Sequence, residues 1–200
     1  MEEQKLQIIQ IAAKLFKQQG IRRVSIDDIC GELRISKKTF YNYFAQKEDL
    51  VDACVEYANK SLVEKVEVLC RNKNALECML IINREMRKYY EKEVSELVMD
   101  DVKKYYPNLF EKYRKINAER SYQKFLNNLK QGIEEGYYRD NLDIELLSVL
   151  YLSNLNNTQH HTIFGKFPKK RVMDFFFDIS IQLIVSGKGL KFIEENYRNG

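Results

Sequence analysis

Apolar positions along this chain recur at three- and four-residue steps almost from end to end. In residues 3–19, Leu6, Ile9, Ala13 and Phe16 keep that spacing, with Ile8, Ala12 and Leu15 widening the stripe, which predicts an amphipathic helix. Gly20 follows at once and suits the left-handed residue that closes a helix. Ser25-Ile-Asp-Asp28 has the form of a capping box and opens a short helix with Ile26, Ile29, Cys30 and Leu33 on one side. Ser36 is a second N-cap, starting a segment from Lys37 to Phe44. Two short capped helices about three residues apart outline a helix-turn-helix.

The remainder also reads as helix. A long segment begins at Lys47 and ends near Asn74, a second runs from Ala75 to about Lys92, and a third reaches Tyr106 before Pro107 restarts the chain. Residues 108–135 form one long helix closed by Gly136, and Asp143 caps the next, which runs to about Phe164. The last long helix passes through Val172, Met173, Phe175, Phe176, Phe177, Ile179, Ile181, Leu183 and Ile184, and is apolar nearly all round. Such a helix needs cover on both sides: either it is central to its own chain, or one side faces a second subunit. The second arrangement is the preferred one, with Leu147, Tyr151, Leu155, Phe175, Phe176, Ile179 and Leu183 at the seam.

Composition narrows the picture. Two prolines and eight glycines in 200 residues leave little room for the turns of an all-β fold, so the fold class is all-α. No apolar run reaches membrane-spanning length, which argues against a membrane partner. The acidic start MEEQKLQIIQ lacks the features of a signal peptide, so the expected location is cytoplasmic. Cys30, Cys54, Cys70 and Cys78 form no C-x-x-C pair and are read as reduced thiols. The net charge of +4 is modest, but between Gly20 and Lys47 six basic side chains stand against three acidic ones, a local surplus of +3.

The stretch SIDDICGELRISKKTFYNYFAQKEDL, residues 25–50, resembles the helix-turn-helix and following helix of the TetR (AcrR-like) regulators. The likeness rests on Ser25, Ile29, Ser36-Lys37, Thr39-Phe-Tyr41, Tyr43-Phe44 and Lys47-Glu-Asp-Leu50, about a quarter of the chain. It implies an N-terminal three-helix, homeodomain-like domain over residues 1–46. A larger helical ligand-binding and dimerisation domain would follow over 47–200. It also implies a homodimer binding double-stranded DNA at an inverted repeat, repression by family habit, and release by an unknown small-molecule effector.

From the residues themselves, Lys37, Lys38, Thr39 and Asn42 are the groove-facing positions, while Phe40 and Phe44, four apart, face inward. Tyr41 and Tyr43 are left outside, and Lys47 stands at a helix N-terminus. By resemblance, Ser25, Tyr41, Tyr43 and Lys47 match phosphate contacts, and Ser36 with Lys37 opens the recognition helix. Three departures stand out: Arg34 occupies the turn position usually taken by Gly, Lys38 replaces another frequent Gly, and Gln46 sits where a short polar cap is common. A left-handed Arg34 would carry roughly 1 kcal/mol of strain.

Met79, Met86, Tyr89, Tyr90, Tyr105, Phe110, Tyr113, Phe125 and Tyr151 are candidate liners of an effector pocket, each read more readily as plain core. His160 and His161 are adjacent and point about 100° apart on a helix, so they do not make a metal pair. No nucleotide-binding or hydrolytic motif is present, so neither an enzyme nor a cofactor is expected. Two alternatives remain open: a thiol-based redox-sensing regulator, and a helical interaction protein without DNA binding.

Overall fold

The computed structural model describes residues 2–88, 96–157 and 166–197. Among these residues the chain is helical, in the order α1 Glu2–Gln19, α2 Ile26–Leu33, α3 Lys37–Tyr41, α4 Lys47–Leu69, α5 Ala75–Lys88, α6 Glu96–Tyr105, α7 Pro107–Glu134, α8 Ile144–Asn157, α9 Lys169–Ile184 and α10 Gly187–Tyr197. The all-α class holds, with an N-terminal helix-turn-helix followed by further helices. The third helix is shorter than its apolar spacing suggests: it stops at Tyr41, and Asn42 to Phe44 complete it as a turn.

The expected signals act where they stand. Gly20 has φ +82°, and its N–H donates to the Phe16 carbonyl, closing α1. Ser25 caps α2 with a complete box: its Oγ accepts from the Asp28 N–H, while its own N–H and hydroxyl donate to Asp28 Oδ2 at 2.7 Å. Those two bonds from Ser25, side chain first, hold the Asp28 carboxyl below the usual carboxylate range. The box is therefore complete at neutral pH and loses its acceptor only as pH falls through that lowered value. Ser36 caps α3 by accepting from the Thr39 N–H. Gln46 is a weak cap, and Asp49 compensates by accepting from the Gln46 N–H at 3.0 Å. Asp143 caps α8 through the Leu146 N–H.

One compact unit comprises residues 1–65 and 92–114. Its core holds Ile8, Ala12 and Phe16 of α1, Ile29 of α2, Phe40 and Phe44, Leu50, Val51 and Cys54 of α4, Val102 of α6 and Leu109 of α7. Packing thus groups part of α4 and all of α6 with the first 46 residues, because their apolar faces complete the same core. The second unit comprises residues 66–91 and 115–200, around Leu76, Met79, Phe125, Leu129, Tyr151, Phe177 and Ile184. Within it, the buried Tyr138 hydroxyl lies 3.0 Å from both the Ala75 carbonyl and Asn128 Oδ1, and Asn128 donates to the same carbonyl. The Tyr138 ring presses on Gly132, where a Cβ would collide with it.

Helix α10 lies beyond the last helix expected from the apolar pattern. Ser186 starts it, accepting from the Gly189 N–H, and Gly189 is required because a Cβ there would strike the Tyr137 carbonyl.

Two changes test these local assignments. Arg34, the C-cap of α2, has φ +53°, so Arg34→Gly is expected to raise stability by about 0.5–1 kcal/mol, the left-handed strain less the added unfolded-chain entropy. Gly132→Ala is expected to lower it by about 1–3 kcal/mol through overpacking. Urea denaturation measures both; an unstable Arg34→Gly or a neutral Gly132→Ala contradicts the geometry.

Candidate nucleic-acid interface

The elements that would meet DNA are α2, the turn centred on Arg34, α3 and the start of α4. The turn is built by the left-handed Arg34, whose N–H donates to the Gly31 carbonyl, and by the Ile35 N–H donating to the Cys30 carbonyl. Arg34 stands where glycine is the easier residue. Below α3, Phe40 and Phe44 are buried with their ring centres 5.7 Å apart, as the four-residue spacing predicts. Their burial fixes which residues of α3 remain outside.

Lys37, Lys38, Tyr41 and Asn42 are exposed and Thr39 is half-buried. Lys37 is not free: its Nζ lies 2.8 Å from Asp27 Oδ1, joining the first turn of α3 to the first turn of α2. The hydrogen bond to Asp27, and then its charge, raise the lysine pKa, so the ammonium stays charged throughout the neutral range. Tyr41 is 50% exposed and braced edge-on against Phe40, with ring planes at 87°. Its ring therefore has support underneath and a free outer edge. Ser25 and Ser36 are both exposed caps whose hydroxyls are engaged locally, Ser25 with Asp28 and Ser36 with Thr39 Oγ1 at 2.9 Å.

Two expected contacts have other occupations. Tyr43 is half-buried against the core rather than outside, and its hydroxyl donates to Gln4 Oε1 on α1 at 2.9 Å. Lys47 turns inward: its Nζ donates to the Ile21 carbonyl at 2.6 Å and the Val24 carbonyl at 2.5 Å, and lies 5.9 Å from the centre of the Phe16 ring. Burial lowers its pKa, against the opposing pull of Asp101 and Asp28. Nothing in local spacing reveals either arrangement, because the partners lie on other elements.

The sequence pattern also gives no sign of a latch behind the bend between α1 and α2. Asp101 of α6 accepts from the Arg22 N–H at 2.9 Å, and the Arg22 guanidinium donates to the Tyr105 hydroxyl at 3.1 Å. Asp101 also crowds Gly20, where a Cβ would lie 3.0 Å from its carboxylate. The residues concerned are separated by 79 and 83 positions, beyond any local signal.

The expected effector liners divide between the two units. Tyr105, Phe110 and Tyr113 belong to the first, where the Tyr113 hydroxyl donates to Asp52 Oδ1 at 2.5 Å. Met79, Met86, Phe125 and Tyr151 belong to the second; Met79, Phe125 and Tyr151 are buried, with the Phe125 and Tyr151 rings stacked 4.1 Å apart. A cleft of 550 Å³ in that unit is lined instead by Ile133, Gly136, Tyr138, Arg139, Asn141 and Ser186, among others. Tyr89, Tyr90, His160 and His161 lie outside the described residues, as does the Leu155 side chain.

Of the expected seam, Phe175, Ile179 and Leu183 on α9 are exposed, Phe175 by 67%. Tyr151 is buried, and Leu147 and Phe176 are half-buried against the second core. On α8 the outward residues are Leu146, Val149 and Leu150. Among the described residues, no helix is long and apolar enough to cross a membrane.

Residues 8–54 match the family model described as bacterial regulatory proteins, tetR family. The HTH-type transcriptional repressor KstR2 of Mycobacterium tuberculosis (strain ATCC 25618 / H37Rv) is 24% identical over 144 residues, covering 70% of this chain and 72% of that protein. An uncharacterized HTH-type transcriptional regulator, YuxN of Bacillus subtilis (strain 168), is 42% identical over 57 residues, 28% of this chain and 20% of its own length. In structure, a transcriptional regulator from Cytophaga hutchinsonii superposes with a TM-score of 0.71 at 16% identity, covering 90% of this chain and 97% of that one. The KstR2 structure gives 0.58 at 20% identity, covering 92% and 95%.

The inward Lys47 carries a prediction. Lys47→Ala strips the donor from two carbonyls at a buried bend and is expected to cost about 1–3 kcal/mol of folding stability. Lys38→Ala, on the open surface, is expected to change stability by no more than about 0.5 kcal/mol. Thermal or urea melts of the two variants decide it, and equal, small losses would remove Lys47 from the scaffold.

Proposed function

We propose, for a chain that through its N-terminal domain belongs to the tetR family of bacterial regulatory proteins, that it represses transcription as a homodimer on an inverted-repeat operator. That it is a transcriptional regulator with a DNA-binding helix-turn-helix follows from the family; the operator, the dimer and the effector are the proposal. One observation carries it: α3 presents Lys37, Lys38, Tyr41 and Asn42 outward above a buried Phe40–Phe44 base. A short helix reads only a few base pairs, so two copies related by a twofold axis would read two half-sites.

In this reading residues 1–46 contact DNA, and 47–200 serve the dimer and the effector. Lys38, Thr39 and Asn42 face base edges. Ser25 and Tyr41 hold phosphates, and Lys37, expected among the groove-facing positions, is assigned to a phosphate because its ammonium is drawn to Asp27. Ser36 sets the start of the helix. Tyr43 and Lys47 join the phosphate set only by exchanging their present hydrogen bonds, so their main contribution is to hold the frame. The exposed Phe175, Ile179 and Leu183 of α9, with Leu146, Val149 and Leu150 of α8, support the dimer, because apolar side chains of that size gain from cover. The effector is an apolar or aromatic small molecule bound among the second unit's residues, with Met79, Met86, Phe125 and Tyr151 as its neighbours. It acts by favouring one of two states with different DNA affinity. The latch of Asp101 and Tyr105 onto Arg22 supports α6 as the element that would transmit the change to the bend.

Selection of bound sequences from a random DNA pool is expected to return inverted repeats. On the selected site, Lys38→Ala is expected to weaken binding by about 1–3 kcal/mol if it reads a base, and to lower the salt slope by about 1 if it holds a phosphate. Fluorescence anisotropy against salt reads both, and unchanged binding by Lys38→Ala and Tyr41→Ala together would place the reading head elsewhere. For the dimer, sedimentation of Phe175→Asp should show a shift towards monomer relative to wild type. A monomeric wild type that binds DNA tightly ends that part of the proposal.

A further inference from the structure

The DNA-binding reading leaves two cysteines unused at the turn between α4 and α5. Cys70 follows the last residue of α4, and Cys78 lies in the first turns of α5. Both are half-buried and free. The chain reverses between them through Asn72, whose φ is +59°. Both sides of the turn are pinned. The Lys73 N–H donates to the Cys70 carbonyl at 3.1 Å, while the Asn74 N–H donates to Glu77 Oε2 and the Glu77 N–H to Asn74 Oδ1. Lys73 Nζ is paired with Glu77 at 2.9 Å.

That bend brings the Cys78 sulfur against Cys70. The Cys78 thiol lies 3.6 Å from the Cys70 carbonyl oxygen and 3.8 Å from that of Lys73, so its sulfur is held against the residue that carries the other thiol. Disulfides need side chains that already approach one another on a backbone that need not move far, and a pinned turn supplies both. The other two cysteines are different. Cys30 and Cys54 are buried in the core of the first unit, and Cys54 donates to the Ile9 carbonyl at 3.6 Å.

We propose that Cys70 and Cys78 form a reversible intramolecular disulfide when the protein meets hydrogen peroxide, making this turn a redox-modification site. Burial, and then the hydrogen bond with Cys70, push the Cys78 thiol well above its usual range, so it remains protonated at neutral pH. The Cys78 S–H is also tied to two carbonyls, so the first attack is assigned to Cys70. Its sulfur bonds to one peroxide oxygen, the O–O bond breaks, and the thiol proton passes to the leaving hydroxide, giving water and a sulfenic acid. The Cys78 sulfur then attacks the Cys70 sulfur. The S–O bond breaks and the oxygen leaves as a second water carrying the Cys78 proton. Two thiols are oxidised by two electrons, and one peroxide is reduced to two waters. A dithiol reductant reverses the step by exchange. Oxidation also removes the S–H donor shared by the Cys70 and Lys73 carbonyls, so the end of α4 loses a tie.

The test uses the full chain, folded and reduced, and does not depend on DNA binding. After treatment with a modest excess of hydrogen peroxide and blocking of free thiols, peptide mapping without reductant should show one cross-link, Cys70 to Cys78. The intact mass should be lower by two hydrogens, Cys30 and Cys54 should be alkylated only after unfolding, and dithiothreitol should restore both thiols. In Cys78→Ser the reaction should stop at Cys70, trapped by a sulfenic-acid reagent at several times the wild-type level. Recovery of Cys70 and Cys78 as free thiols from the treated wild type, or a cross-link made by other cysteines, overturns the proposal without requiring any variant to fold.

Discussion

A lysine ammonium drawn partly out of water gains by donating its hydrogens to protein acceptors, and Lys47 gives two of them to the Ile21 and Val24 carbonyls at the bend between α1 and α2. That requirement organises the whole N-terminal unit. The bend carries Ile21 and Val24 into the core, and Ser25, the very next residue, caps α2. Asp101 takes the intervening Arg22 N–H. The bend is therefore held by both α4 and α6, and the direction in which α2 leaves α1 is set by these few bonds. Since α3 packs on the same core through Phe40, its exposed face inherits that direction.

What could be read from the chain alone was what depends on neighbours a few positions apart. Ser25 with Asp28, Ser36 with Thr39, Gly20 after Phe16 and the inward pair Phe40–Phe44 are all local relations, and each is realised. The left-handed turn at Arg34 was legible for the same reason, since the turn geometry outlasts the residue that fills it. Tyr43 and Lys47 were not legible, because Gln4, Ile21 and Val24 lie 39, 26 and 23 positions away and spacing carries no information about them.

The last helices show a different limit. On α8, Leu146, Leu147, Val149, Leu150 and Tyr151 are all apolar, so periodicity cannot say which of them faces inward. Burial of the Tyr151 ring against Phe125 decides it, leaving Leu146, Val149 and Leu150 outside. Helix α10 lies beyond the last expected helix, and the role of its glycine is spatial: Gly189 lets the helix start lie directly against the Tyr137 carbonyl, an approach that only a residue without a side chain allows.

The ion pair between Lys37 and Asp27 at the front of α2 and α3 has a bearing on how the surface would trade ions with a polyanion. Asp27 already serves as the built-in counterion of Lys37. If a phosphate takes the ammonium, the aspartate left behind recruits a cation from solution, which offsets the one expelled from the nucleic acid. Lys37 can then orient a backbone contact with little net change in bound salt, whereas Lys38, with no ion pair among the described residues, would exchange ions one for one. Two adjacent lysines of equal formal charge thus differ as electrolytes: one is internally neutralised, the other open.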